Sequence, residues 1–210
     1  MDIIAKQVAE KLLQIKAIKL EPTNHFVWAS GWNSPIYCDN RKTLSYPEVR
    51  GFIRDSFVEV IKNNFADYDV VAGVATGAIA QGALVADKLN KPFVYVRSQA
   101  KDHGWGNLIE GELPKHSKVL VIEDLISTGG SSLKAVEAIR EAECEVVGMV
   151  AIFTYGFQKS VDAFNSANVK LVTLSNYNIL VEQAKEIGYI TEKDIDILKE
   201  WRLSPDTWKK

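Results

Sequence analysis

The chain has 210 residues, with 25 basic and 27 acidic side chains and a net charge of −2. That length suffices for one domain with a substantial core and a small appendage. The near-neutral charge excludes a general nucleic-acid binder and a membrane-surface protein, so any anion site has to come from a local cluster of groups.

The first residues, Met1-Asp2-Ile3-Ile4-Ala5-Lys6-Gln7, lack the basic start and continuous apolar core of a secretion signal. No apolar run reaches the length of a membrane span. Cys38 and Cys144 sit in apolar surroundings without CxxC or metal-ligand spacing, which reads as two buried free thiols. These features fit a soluble protein in a reducing cytoplasm.

Ile3, Ile4, Val8, Leu12 and Ile15 recur at helical spacing and predict an opening amphipathic helix. Residues 21–45, carrying Trp28, Trp32 and the run Ser34-Pro35-Ile36-Tyr37-Cys38-Asp39, predict short aromatic-rich strands and turns. A helix is expected from about Tyr46 to Asn64, with Val49, Phe52, Ile53, Phe57, Val60 and Ile61 turned inward. Beyond it the chain alternates regularly. Strands are expected at Val70–Ala75, Phe93–Arg97, Val119–Glu123, Glu145–Thr154 and Lys170–Leu174, with helices at 76–89, 130–142 and 157–167. Such alternation predicts an α/β fold, a parallel sheet with helices on both faces. The C-terminal part reads as helical, with a capping box at Thr191-Glu192-Lys193-Asp194 and a stop at Ser204-Pro205. No repeat or linker interrupts the pattern, so residues 1–210 are expected to form a single domain.

One connection is unusually long. Residues 98–117 contain Lys101, His103 and glycines at 104, 106 and 111, a composition suited to a mobile functional loop. Arg97 precedes it at a strand exit, and two cations with a titratable imidazole suit a departing polyphosphate.

The densest signal is Val119-Leu120-Val121-Ile122-Glu123-Asp124-Leu125-Ile126-Ser127-Thr128-Gly129-Gly130-Ser131-Ser132. An apolar strand ends in two carboxylates and opens through a hydroxyl- and glycine-rich turn into a helix bearing Leu133, Val136 and Ile139 on one face. Carboxylates accept hydrogen bonds from ribose hydroxyls. Backbone N–H groups at a helix start suit phosphate. A ribose 5-phosphate carries both. Capping of the helix would need only one of these oxygens. Gly73-Val74-Ala75-Thr76-Gly77-Ala78-Ile79-Ala80 is a weaker signal that gains value from lying at the same sheet edge. Neither glycine loop ends in Gly-Lys-Ser/Thr, so a Walker A site is absent, and no HExxH-type metal motif occurs. Gly104-Trp105-Gly106 lacks the third small residue of a dinucleotide fingerprint. His25 and His116 read as solvated loop residues.

Residues 119–132 resemble the donor-binding signature of type I phosphoribosyltransferases. Tyr95-Val96-Arg97-Ser98-Gln99-Ala100-Lys101-Asp102-His103-Gly104 resembles the catalytic loop of the orotate-using branch of that family. Ser30-Gly31 with Ser34-Pro35-Ile36-Tyr37 resembles its N-terminal hood, and Ala151-Ile152-Phe153-Thr154-Tyr155 is at home there too. The resemblance implies a type I phosphoribosyltransferase fold whose hood is formed mainly by 1–45 with part of the C-terminal region. It implies Mg²⁺-dependent transfer of the 5-phosphoribosyl group from 5-phosphoribosyl 1-diphosphate to orotate, with the metal carried by the donor and no direct protein ligand. Glu123 and Asp124 would hold the ribose hydroxyls. Leu125, Ile126, Ser127, Thr128, Gly129, Gly130 and Ser131 would wrap the 5-phosphate. Arg97, Lys101, His103, Thr76 and Gly77 would face the diphosphate, Thr76-Gly77 falling where the family commonly has a non-proline cis peptide. Ser127, Tyr37 and Cys38 would contact orotate. Lys101, His103 and Asp124 carry the catalytic assignments, with Lys101 and His103 reaching across a homodimer into the neighbouring site.

Some family members place lysines where this chain has Ala29, Gly77 or Ala78, and Ser98, and an orotate-contacting arginine near Tyr155. Two other readings remain open from the residues alone: transfer to another base such as a purine, and a non-catalytic regulator that senses the donor. The catalytic loop argues against the regulator, which needs none.

Overall fold

A computed structural model describes residues 2–28, 30–99 and 108–209. The chain opens with α1 (Asp2–Gln14), followed by β1 (Ile18–Leu20), β2 (Phe26–Val27), β3 (Asn33–Ser34) and β4 (Ile36–Cys38). A 3-10 helix at Asn40–Ser45 leads into α2 (Pro47–Asn64). The alternating part is β5 (Val70–Val74), α3 (Ile79–Leu89), β6 (Phe93–Val96), β7 (Ile109–Glu110), β8 (Lys118–Ile126), α4 (Gly130–Glu141), β9 (Glu145–Thr154), α5 (Gln158–Ser166) and β10 (Leu171–Asn176). Two helices close the chain, α6 (Tyr177–Glu186) and α7 (Glu192–Leu203).

The central sheet runs in the order β10-β9-β8-β5-β6-β7, parallel except for the antiparallel β6–β7 pair. Side chains alternate across it, as the two-residue period of a strand requires. Val71, Leu120, Ile122, Val150 and Ile152 point to a core shared with α1, α2, α3, α6 and α7. Ala72, Val119, Val121, Met149 and Ala151 point to the other face, covered by α4 and α5. Both faces are therefore buried, which explains why the strands read as continuous apolar runs.

The structure moves two expected boundaries. β8 does not stop at the acids: it continues to Ile126, because β9 stays paired with it through Leu125–Phe153 and Ile126–Thr154. Pairing with β5 ends earlier, at Gly73–Ile122. The acids thus lie inside a strand, on a stretch that keeps β9 and has lost β5. Nor is 98–117 one continuous loop. Ile109 and Glu110 form β7 against Val96 and Tyr95, and the Arg97 N–H donates to the Leu108 carbonyl at 2.8 Å.

The short N-terminal strands form two separate antiparallel pairs, β1 with β4 and β2 with β3. α1 is less an appendage than expected, since Val8, Ala9 and Leu12 belong to the main core and Ser175 Oγ donates to the Ala5 carbonyl at 2.8 Å. The C-terminal helices pack on the same region through fully buried Trp201, whose indole N–H donates to the Asn33 carbonyl at 3.2 Å. At Thr191 the capping box forms as expected, with Asp194 accepting from the Thr191 N–H at 2.8 Å.

Candidate active site

Where β5 has ended and β8 continues, a cavity of about 490 Å³ opens over the C-terminal edge of the sheet. Glu123, Asp124 and residues 127–132 form one wall, Ala75, Thr76 and Gly77 another, and Asp39 and Arg41 the rim. The two glycine loops therefore meet in one space, as strand ends in doubly wound sheets allow.

The two acids are not equivalent. Glu123 is 4% exposed, and both its oxygens are engaged: Oε1 accepts from the Asp124 N–H at 2.9 Å and Oε2 from Ser132 Oγ at 2.7 Å. Burial, then the neighbouring Asp124, pushes its pKa up to about 8. Asp124 is the freer acid. Its carboxylate lies against Gly77, so closely that a Cβ at that position would overlap it. Its carbonyl accepts a 2.6 Å hydrogen bond from the Asn40 side chain.

The turn after β8 needs Gly129 at φ +84, a left-handed conformation that side chains resist. It brings the first turn of α4 to face the cavity, where helix N–H groups lack intrahelical acceptors. Thr128, Gly129, Gly130 and Ser131 line the cavity with Ser127. Ile126 does not join them. Its side chain is fully buried in the core under α4, and its carbonyl accepts from the Tyr155 N–H at 3.1 Å. Across the cavity, the Ala75–Thr76 peptide is cis.

A second cavity, of about 290 Å³, adjoins the first and shares Cys38, Leu125 and Ser127 with it. Val27, Trp28, Tyr37 and Tyr155 complete its lining. Trp28 sits 5.1 Å from Tyr155 between ring centroids, and its indole N–H is anchored on the Ile36 carbonyl at 2.9 Å. The space is a slot lined largely by aromatic rings. Cys38 is only partly buried as a residue, against the expectation, because it lies between the two cavities. Burial of its sulfur, with Asp124 and Asp39 nearby, pushes the thiol pKa well up and keeps it protonated.

Arg97 lies at the end of β6 but lines neither cavity; its guanidinium reaches Glu110 at 3.4 Å. Lys101 and His103 fall outside the described residues, as does Ala29. His25 is not simply solvated, since its ring meets Trp208 edge-on at 5.5 Å, whereas His116 is exposed. Sequence reasoning missed Asn40, Asp39, Arg41 and Trp28. The Asp39-Asn40-Arg41 run was visible as a polar interruption after β4, but nothing local placed it beside a strand 84 residues further on.

A parallel strand that carries two acids shortly before a helix start, facing a glycine loop across the sheet edge, is the arrangement of α/β domains built around a ribosyl phosphate. A model of the phosphoribosyl transferase domain matches residues 45–183. The chain is 60% identical over 208 residues to an orotate phosphoribosyltransferase from Porphyromonas gingivalis, covering 99% of each. It is 58% identical over 207 residues to one from Listeria innocua, again covering 99% of each. Among solved structures, the orotate phosphoribosyltransferase of Aeropyrum pernix superposes with a TM-score of 0.76 at 28% identity, covering 88% of this chain and 99% of that one. The chain belongs to the orotate phosphoribosyltransferase family.

Proposed function

We propose that this chain transfers the 5-phosphoribosyl group of 5-phosphoribosyl 1-diphosphate to orotate, forming orotidine 5′-monophosphate and diphosphate in pyrimidine biosynthesis. The observation that carries this reading is the pair of adjoining cavities, one polar and helix-capped, one a slot lined largely by aromatic rings, joined at Cys38, Leu125 and Ser127. A sugar bound at the junction presents its anomeric carbon to a planar base. Near-full-length identity of about 60% to orotate phosphoribosyltransferases supports orotate as that base.

In this reading the start of α4 and the hydroxyls of Ser127, Thr128 and Ser131 hold the 5-phosphate. Asp124 accepts from the ribose hydroxyls. Glu123, with its oxygens engaged, supports Asp124 rather than reaching the sugar itself. Trp28, Tyr37 and Tyr155 line the slot against which the base packs. The carbon–oxygen bond to diphosphate breaks as the carbon–nitrogen bond to orotate forms, inverting the anomeric carbon. Orotate's ring nitrogen can enter already deprotonated or be stabilised as the anion, so no residue is assigned as an obligatory base.

Among the described residues no cluster of three or more His, Cys, Asp or Glu side chains could hold a metal ion by itself. Asp124 on the cavity wall and Asp39 on its rim would suit a Mg²⁺ carried in on the donor's diphosphate, with no direct protein ligand required. Bound there, it supplies charge neutralisation at the leaving diphosphate. Lys101 is assigned the same task from the neighbouring subunit of a homodimer, with His103 hydrogen-bonding the diphosphate beside it. Arg97, paired with Glu110 at the exit of β6, is assigned to the diphosphate as well. No helix among the described residues is long and apolar enough to cross a membrane, and the free thiols Cys38 and Cys144 fit assignment to the cytoplasm.

A spectrophotometric assay with orotate, the donor and Mg²⁺, run beside hypoxanthine, adenine and uracil, tests the reading. Turnover is expected with orotate alone. Turnover with a purine and none with orotate would overturn the base assignment, and donor binding without any turnover would favour the sensor. Replacing Lys101 with Ala is expected to lower kcat about 10²–10³-fold while donor affinity changes far less.

A further inference from the structure

The hood contributes to more than the base slot. Asn40 opens the 3-10 helix just after β4, is 2% exposed, and lines neither cavity. Every polar atom of its side chain is used. Nδ2 donates to the Asp124 carbonyl at 2.6 Å, and Oδ1 accepts from the Cys38 thiol at 3.3 Å. Its backbone carbonyl accepts from Thr43 Oγ1 at 2.6 Å, and Thr43 Oγ1 accepts in turn from Gln81 Nε2 at 3.1 Å. Gln81 sits in the first turn of α3, directly after the Gly77 loop. The contacts close a ring from the hood to Asp124, across to Gly77, into α3 and back.

Asp124 is thus held at its N–H by Glu123, at its carbonyl by Asn40, and at its carboxylate by the flat surface of Gly77. We propose that Asn40 is a positioning residue for the donor site: by fixing the Asp124 peptide it aims the Asp124 carboxylate at the ribose. The inference rests on the reading above that Asp124 holds the ribose hydroxyls. A small rotation of that peptide swings the carboxylate away from its target, and misplacement of about 1 Å at a reacting site costs on the order of 10²-fold. The plain alternative is that Asn40 only ties the hood to the sheet, as a satisfied buried amide.

Calorimetric titration of the whole protein with 5-phosphoribosyl 1-diphosphate and Mg²⁺ separates the two. Asn40→Ala, Asp124→Asn, the double variant, and Val85→Ala as a buried helix variant that measures general loosening would be compared with the parent. Asn40→Ala is expected to weaken donor binding about tenfold, and the double variant to bind no worse than Asp124→Asn, because Asn40 acts through Asp124. Asn40→Asp adds a pH signature. An ionised Asp cannot donate to the carbonyl and a protonated one can, so its affinity relative to the parent should recover as pH falls. Donor binding by Asn40→Ala within twofold of the parent, additive losses in the double variant, or an equal loss in Val85→Ala would each overturn the proposal. Should Asn40→Ala fail to fold, a flat Asn40→Asp pH ratio would overturn it as well. If Asp124→Asn itself binds the donor as the parent does, the site reading falls and takes this inference with it. If only Asn40→Ala does, the inference falls alone.

Discussion

Residues 123–125 and 127–132 supply one wall of the donor cavity from a single run of chain, whereas the adjoining slot draws Val27 and Trp28, Tyr37 and Cys38, Leu125 and Ser127, and Tyr155 from four separate segments. The first wall needs only a strand, a left-handed glycine and a helix start. The second depends on the hood and the C-terminal helices packing together. Trp201, more than 150 residues along the chain from Asn33 and Trp28, anchors on the Asn33 carbonyl and meets Trp28 edge-on at 5.6 Å. The β8–α4 wall is a local construction, whereas the aromatic slot is a product of long-range packing.

The sharpest way to break the donor half is Gly77→Ala. The added methyl would overlap the Asp124 carboxylate, so the acid has to move. We expect kcat/KM for the donor to fall about 10²-fold, the cost of a misplaced reacting group. Circular dichroism should stay at the parent's values. Retention of donor kcat/KM would show that Asp124 holds nothing in catalysis.

Trp28→Ala tests the other half, with a smaller expected effect. It removes one face of the slot while leaving the β8–α4 turn intact. KM for orotate should rise about tenfold, in keeping with about 1–3 kcal/mol for one aromatic stacking contact on a base. Donor affinity, measured by titration without orotate, should stay within about twofold. Equal losses on both substrates would mean that the two halves are not separable.

The same contrast decides what was legible in the residues. The β8–turn–α4 unit declared itself because each of its parts has a local signature: an apolar run for a doubly covered strand, paired acids, Thr-Gly-Gly for the turn. The parallel sheet was legible for a similar reason, since burial on both faces leaves continuous apolar runs such as Val119–Ile122. The strand's extension to Ile126 was not, because it depends on where β9 ends relative to β5, a matter of pairing rather than of residue type. Asn40 was invisible for a related reason. Nothing in its own neighbourhood says that its side chain meets Asp124. Trp28 stood out as an aromatic, but its role as a wall appears only once Tyr155 and Trp201 are brought beside it. Arg41, on the cavity rim and paired with Asp39 at 2.7 Å, is a cation that no local motif announces.

The smallest predicted effect concerns Glu123, the acid whose two oxygens are both engaged within the protein. Glu123 has its pKa raised from the ordinary 4.5 to about 8 by burial and by Asp124. The folded state therefore binds a proton more tightly than the unfolded chain between those values. Stability contributed by the protonated form is fully present below the unfolded pKa and is lost as pH rises through the folded one. Glu123→Gln keeps the shape, still offers a carbonyl oxygen to the Asp124 N–H, and removes the titration. Its melting temperature should lie nearest the parent's below about pH 4.5, the unfolded value, and exceed it by a widening margin as pH rises to 8.5. Donor affinity should change little, because Glu123 acts behind Asp124. A variant that melts in parallel with the parent at every pH would show that Glu123 is ionised in the fold. A large loss of donor affinity would return Glu123 to the sugar and make the acid pair, rather than Asp124 alone, the donor half's working group.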